Sequence, residues 1–137
     1  MHQLSGSLME ENKRILIVDD DLDTRIIVKT ILAGSGYVVE ESANGKIALE
    51  WLQTNTPALI ILDVMMPEMS GYDVMIHLKQ RPETQNIPVI MLTAKGDSDD
   101  LFKAYKEYAV DYYIPKPFTP RQLIAGVKLV LQSEEES

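Results

Sequence analysis

The chain has 137 residues, 45% of them hydrophobic, and a formal charge of −8 at neutral pH; that length suits one compact domain with a working core. It contains no cysteine, which excludes a disulfide framework, thiolate catalysis and cysteine-held zinc or iron–sulfur sites. The acidic balance opposes direct binding to nucleic acid or anionic membrane, and no apolar run approaches the roughly 20 residues that cross a bilayer. The start, Met1 to Ser7, lacks the charged and apolar regions of a signal peptide. These features together read as a soluble cytoplasmic protein.

Residues 1–12 carry no pattern and are expected to form a flexible leader. A first aliphatic run, Arg14 to Val18, reads as a strand and ends in Asp19-Asp20-Asp21. Asp21 or Asp23 can cap the helix that follows, in which Ile27 and Ile31 lie at helical spacing, and Gly34 and Gly36 stop it. The second run, Tyr37 to Glu41, carries Glu40 and Glu41 and suits an edge strand. Asn44-Gly45 turns the chain into a second helix bearing Ala48, Trp51 and Leu52. A third run, Ala58 to Leu62, leads to Asp63. After the loop Val64 to Gly71, Ser70 can cap a third helix with Val74, Met75 and Leu78 inward, and Arg81-Pro82 ends it. The fourth run, Pro88 to Leu92, precedes Thr93, and a fourth helix is expected before the fifth run, Val110 to Ile114. Pro115-Lys116-Pro117 follows. The last helix, from about Pro120 to Leu131, presents Leu123, Val127, Val130 and Leu131 to the core, and 133–137 reads as a frayed acidic tail. A single unit over 13–132 is therefore expected between leader and tail.

The first, third and fourth runs are continuously apolar, as strands covered on both faces are, whereas the second and fifth are mixed. This pattern matches an α/β fold, a doubly wound flavodoxin-like (βα)5 sandwich with a parallel five-stranded sheet in the order 2-1-3-4-5. In such sheets the binding crevice lies beyond the carboxyl ends of the strands. Asp19, Asp20 and Asp63 would meet there, and three close carboxylates repel one another unless a cation joins them. Oxygen ligands without a nearby histidine or thiol favour Mg²⁺, with Mn²⁺ a substitute. Asp63, followed by a long loop, has the setting of a carboxylate nucleophile. Taken singly, an Asp triplet is an ordinary helix cap, a threonine at a strand end is structural and a lysine before proline is a surface residue. Their order at the ends of separate strands gives the set its specificity. His77, on the polar side of the third helix, and His2, in the leader, have no ligand partner.

Val18-Asp19-Asp20-Asp21, Leu62-Asp63, Leu92-Thr93-Ala94 and Lys116-Pro117, with Pro67, Gly71 and Pro88, resemble the receiver domain of two-component response regulators, the CheY-like superfamily, over about Lys13 to Gln132. The resemblance implies phosphorylation of Asp63 by a histidine kinase or a histidine phosphotransfer protein. It implies Mg²⁺ held by Asp20, Asp63 and the backbone carbonyl of Met65, with Asp19 acting through a water. Thr93 would donate to a phosphoryl oxygen, and Lys116, before a cis proline, would neutralise charge. Thr93 and Tyr113 would form the switch: Tyr113 turns inward on phosphorylation and alters the face of fourth helix, fifth strand and fifth helix that meets a downstream protein. Such a protein catalyses only its own phosphorylation and dephosphorylation. Met65 and Lys95 would border the path of attacking water and set phosphate lifetime.

Three departures from the family pattern stand out. Ala109-Val110 replaces a glycine and a small residue, Tyr105 to Tyr108 holds an extra residue, and Gly126 and Tyr112 stand where an arginine and an aspartate are usual in winged-helix relatives. The last change argues against their dimer through the fourth and fifth helices. Of the aromatic stretch Tyr105, Tyr108, Tyr112 and Tyr113, half is expected in the core and the exposed remainder offers a docking surface. Other classes with this chemistry are an aspartate-nucleophile phosphohydrolase, which would need an acid where Met65 stands, and a pseudo-receiver acting as a protein-interaction module. A flavin or nucleotide carrier would need a glycine-rich loop after Val18.

Overall fold

Aliphatic side chains alternate between the two faces of a strand, and here both faces are covered. A computed structural model describes residues 13–94 and 106–136. Its strands β1 (Arg14–Val18), β2 (Val38–Ser42), β3 (Leu59–Asp63), β4 (Val89–Thr93) and β5 (Tyr112–Pro115) form one parallel sheet in the order β2-β1-β3-β4-β5. Leu16, Val18, Ile60, Leu62 and Met91 pack on one side with Ala48, Val74, Met75 and Leu78. Ile15, Ile17, Ile61 and Leu92 pack on the other with Val28, Leu32, Leu123 and Val127. The central strands β3 and β4 are buried throughout, whereas β2 and β5 each include exposed positions, as expected of edges.

The helices are α1 (Leu22–Ala33), α2 (Gly45–Trp51), α3 (Gly71–Lys79) and α4 (Pro120–Glu136). Asp21 caps α1, accepting from the Asp23 amide at 3.2 Å and the Thr24 hydroxyl at 2.9 Å. Those bonds, the Thr24 hydroxyl foremost, hold its carboxyl below the usual value. Asn44 caps α2 through the Ile47 amide at 2.9 Å. Ser70 and Asp73 form a capping box on α3, which ends at Lys79, before Pro82.

Some boundaries and faces differ from expectation. The stripe of α1 turned to the sheet holds Val28 and Leu32, while Ile26 and Ile27 are each half exposed at 50%; a one-residue rotation separates the two choices. β5 begins at Tyr112 rather than Val110. Ala109 has φ 56°, and the Asp111 carboxylate accepts from the Val89 amide at 2.8 Å, so the chain enters the sheet only after that bend. The last helix continues past Leu131 to Glu136, in keeping with the helix propensity of glutamate. The leader 1–12, the greater part of the expected fourth helix, and with them His2, Lys95 and Tyr105, fall outside the described residues. No helix among the described residues is long and apolar enough to cross a membrane.

Candidate functional site

Parallel register brings the strand ends level. Val18 pairs with Leu62, Asp63 with Leu92, and Thr93 with Pro115, so the residues just beyond β1, β3, β4 and β5 share one edge. Asp19 is fully buried, Asp63 and Thr93 are nearly so, and Asp20 is exposed. One carboxylate oxygen from each of Asp19, Asp20 and Asp63 lies within 4.8 Å of the others. From the far side of β4, Lys116 reaches across: its Nζ is 2.7 Å from Asp19 Oδ2 and 3.4 Å from Asp63 Oδ1. The Lys116–Pro117 bond is cis, as expected, and the Lys116 amide donates to the Thr93 carbonyl.

The electrostatics follow from this crowding. Burial, and then the charge of Asp19, push the Asp63 carboxyl up to about 6, against the opposing pull of Lys116 and the Met65 amide, which donates to it. Burial alone would lower the Lys116 ammonium, yet its bond to Asp19 and the charges of Asp63 and Asp19 leave it raised. The pocket is thus short of positive charge, and its all-oxygen donor set fits a hard divalent cation.

The loop after β3 is held close to the acceptor strand. A Cβ on Gly71 would lie 2.4 Å from the Asp63 carbonyl oxygen, so only glycine fits there, and the Gly71 amide donates to the Val64 carbonyl at 2.9 Å. Within the loop, Met66 is buried, whereas Met65 is 71% exposed. Tyr113 is buried at 7% exposure in one apolar cluster with Leu62, Val64 and Met91. Tyr72, next to Gly71, stacks on Tyr108 with ring centroids 4.7 Å apart. Gly126 of α4 makes room for Tyr112, whose Cε2 would be 3.0 Å from an added Cβ. His77 is exposed on α3.

Two features escaped the sequence. Arg25 of α1 donates from Nη1 to the Asp19 carbonyl at 2.8 Å and from Nε to Glu41 Oε1 at 3.1 Å; its place one helical turn after Asp21 was the available signal. A cleft of about 420 Å³ lined by Thr24, Ile27, Ala94, Lys116, Pro117 and Phe118 opens beside the pocket. Ile27, read as part of the core stripe, was its trace.

Comparison with known proteins agrees with this geometry. The response regulator receiver domain profile matches residues 15–128. The phosphate regulon transcriptional regulatory protein PhoB of Pseudomonas aeruginosa is 42% identical over 120 residues, covering 88% of this chain and 52% of its own length. The transcriptional regulatory protein SrrA of Staphylococcus aureus is 37% identical over 126 residues, 92% of this chain and 51% of its own. The chain thus spans about half the length of the curated relatives it matches. Among solved structures, the signal receiver domain of a signal transduction histidine kinase from Syntrophus aciditrophicus superposes with a TM-score of 0.82 at 37% identity, covering 91% of this chain and 94% of that one. The Vibrio cholerae chemotaxis protein CheY4 gives 0.81 at 30% identity, over 85% and 97%.

Proposed function

The chain belongs to the response regulator receiver domain family, the phosphoryl-accepting module of two-component signalling, and we propose that Asp63 is its acceptor. Asp19, Asp20, Asp63 and the Met65 carbonyl would hold Mg²⁺, for which Mn²⁺ could substitute, and Thr93 and Lys116 would receive the phosphoryl oxygens. The observation that carries this reading is the position of Lys116, 97 residues from Asp19 in the chain and 2.7 Å from its carboxylate.

An Asp63 oxygen attacks phosphorus, the nitrogen–phosphorus bond of the donor phosphohistidine breaks, and its electron pair stays on the imidazole, which takes up a proton. As the phosphoryl group enters, Lys116 turns from the carboxylates to the phosphoryl oxygens, where its charge offsets the negative charge that builds during transfer. Thr93 donates its hydroxyl to another of those oxygens. When bound, Mg²⁺ supplies the remaining positive charge. Response regulators are not turnover enzymes, and the catalysis proposed is confined to the chain's own phosphorylation and dephosphorylation. Exposed Met65 offers no acid to a leaving group, which weighs against a phosphohydrolase.

The cleft beside Lys116, with exposed Leu22, Ile26 and Ile27 nearby, supports docking of the histidine kinase or phosphotransfer partner on α1. The downstream protein meets the face of the expected fourth helix, β5 and α4, with Thr93 and Tyr113 as the switch. Phosphate on Asp63 would favour the buried position of Tyr113. The cytoplasm is the compartment this role implies.

Incubation with Mg²⁺ and acetyl phosphate, read by intact mass, tests the assignment. Wild type is expected to gain one base-labile phosphoryl group, and Asp63→Asn or added chelator to abolish it. Absence of label on wild type, or equal label on Asp63→Asn, overturns the reading.

A further inference from the structure

The geometry points to Arg25 as a positioning residue that aims the metal-holding end of β1, an inference that rests on the pocket reading above. Beyond Val18 the chain leaves the ladder, and the Asp19 amide makes a last bond to the Ser42 carbonyl of β2 at 3.1 Å. The Asp19 carbonyl is taken by Arg25 Nη1 at 2.8 Å. That guanidinium is itself held, because its Nε donates to Glu41 Oε1 at 3.1 Å and the other Glu41 oxygen meets Lys29 Nζ at 3.4 Å. The Arg25 side chain is only 13% exposed.

The consequence follows from peptide planarity. The Asp19 carbonyl and the Asp20 amide belong to one rigid plane, so gripping the carbonyl from α1 sets the direction in which Asp20 departs. Asp20 is the exposed member of the carboxylate trio, on the outer side of the pocket, and that peptide plane governs its approach to a cation. A planar fork with fixed donors can join a carbonyl and a carboxylate at once, whereas an ammonium presents a point charge. Glu41 therefore acts through Arg25.

The sign of the effect separates positioning from charge. A cation near three carboxylates opposes a second cation, so deleting Arg25 as a mere charge would tighten Mg²⁺ binding. Deleting it as a support weakens binding, and lost outer supports of metal ligands typically cost about 10-fold or more. Calorimetric titration of Mg²⁺ into the unphosphorylated full chain reads this directly. Arg25→Gln and Arg25→Lys are both expected to bind about tenfold more weakly, and Glu41→Gln more weakly by a smaller factor. Glu41→Gln should add nothing to Arg25→Gln. Unchanged or tighter Mg²⁺ binding by Arg25→Gln, or full rescue by Arg25→Lys, overturns the inference. Should Arg25→Gln fail to fold, Arg25→Lys decides alone, because it keeps the charge and removes the fork, with unchanged affinity counting against. A wild type that binds no Mg²⁺ instead overturns the pocket reading, and this inference with it.

Discussion

Asp63 is held almost out of water, with Asp19 as an anionic neighbour, and its carboxyl is pushed up from 3.8 to about 6 by burial first and that charge second. A raised acid contributes stability that is complete below the unfolded value of 3.8 and lost as pH rises through about 6. At neutral pH, with Mg²⁺ chelated, the ionised Asp63 carboxylate therefore destabilises the folded state. Asp63→Asn escapes that effect. In chelator, Asp63→Asn should melt above wild type at pH 7, with the gap closing toward pH 4; saturating Mg²⁺ should narrow it at pH 7. Thermal melts across that range, with and without Mg²⁺, measure both effects, and equal melting of the two proteins in chelator would contradict them. The acidic residues and Lys116 were legible in the sequence because they lie within two residues of the end of an aliphatic run, and strand ends in a parallel sheet must converge. Arg25 was not, because its partner is a backbone carbonyl, to which no residue letter corresponds.

Among the elements, β5 shows where a local exception shapes the fold. Receivers usually place a glycine where this chain has Ala109, and Ala109 adopts φ 56°, a left-handed conformation that costs an L-residue roughly 1–2 kcal/mol. Ala109→Gly relieves that strain and gives back part of the gain as unfolded-chain entropy. The expected result is a stabilisation of up to about 1 kcal/mol, measured by urea unfolding. A second exception is reciprocal. Gly126 costs α4 about 1 kcal/mol of helix propensity against alanine, yet a Cβ there would press on Tyr112 and Ile114 at 3.0 Å. Gly126→Ala should fail to stabilise wild type and should be better tolerated in a Tyr112→Ala background, where only the Ile114 contact remains, a non-additivity that a double-mutant cycle reads. The five strands were legible because their aliphatic runs are long enough to exclude loops. The inward stripe of α1 and the start of β5 were not. Adjacent Ile26, Ile27 and Val28 satisfy more than one helical face, and a single bend at Ala109 delays pairing by two residues.

Across the whole molecule, two apolar layers press on the sheet and leave its carboxyl edge as the place where charge collects. A chain of net charge −8 thus assembles three carboxylates at one point and crosses them with Lys116 from β5, tying the ends of β1 and β3 to the opposite side of β4. In the metal-free protein that ammonium offsets the repulsion that Mg²⁺ would otherwise relieve, so the two cations compete by Coulomb's law while both stabilise the fold. Lys116→Gln should therefore lower metal-free stability, bind Mg²⁺ more tightly and accept phosphate more slowly, because the charge proposed to meet the phosphoryl oxygens is gone. Ligand binding to the folded state adds RT ln(1 + [L]/Kd), about 1.4 kcal/mol at ten times Kd, or about 4 °C of melting temperature for a domain of this size. At one fixed Mg²⁺ concentration the rise in melting temperature should consequently be larger for Lys116→Gln than for wild type. An equal or smaller rise would place Lys116 outside the cation's field, and the proximity that joins the two ends of the chain at this pocket would then have no electrostatic consequence.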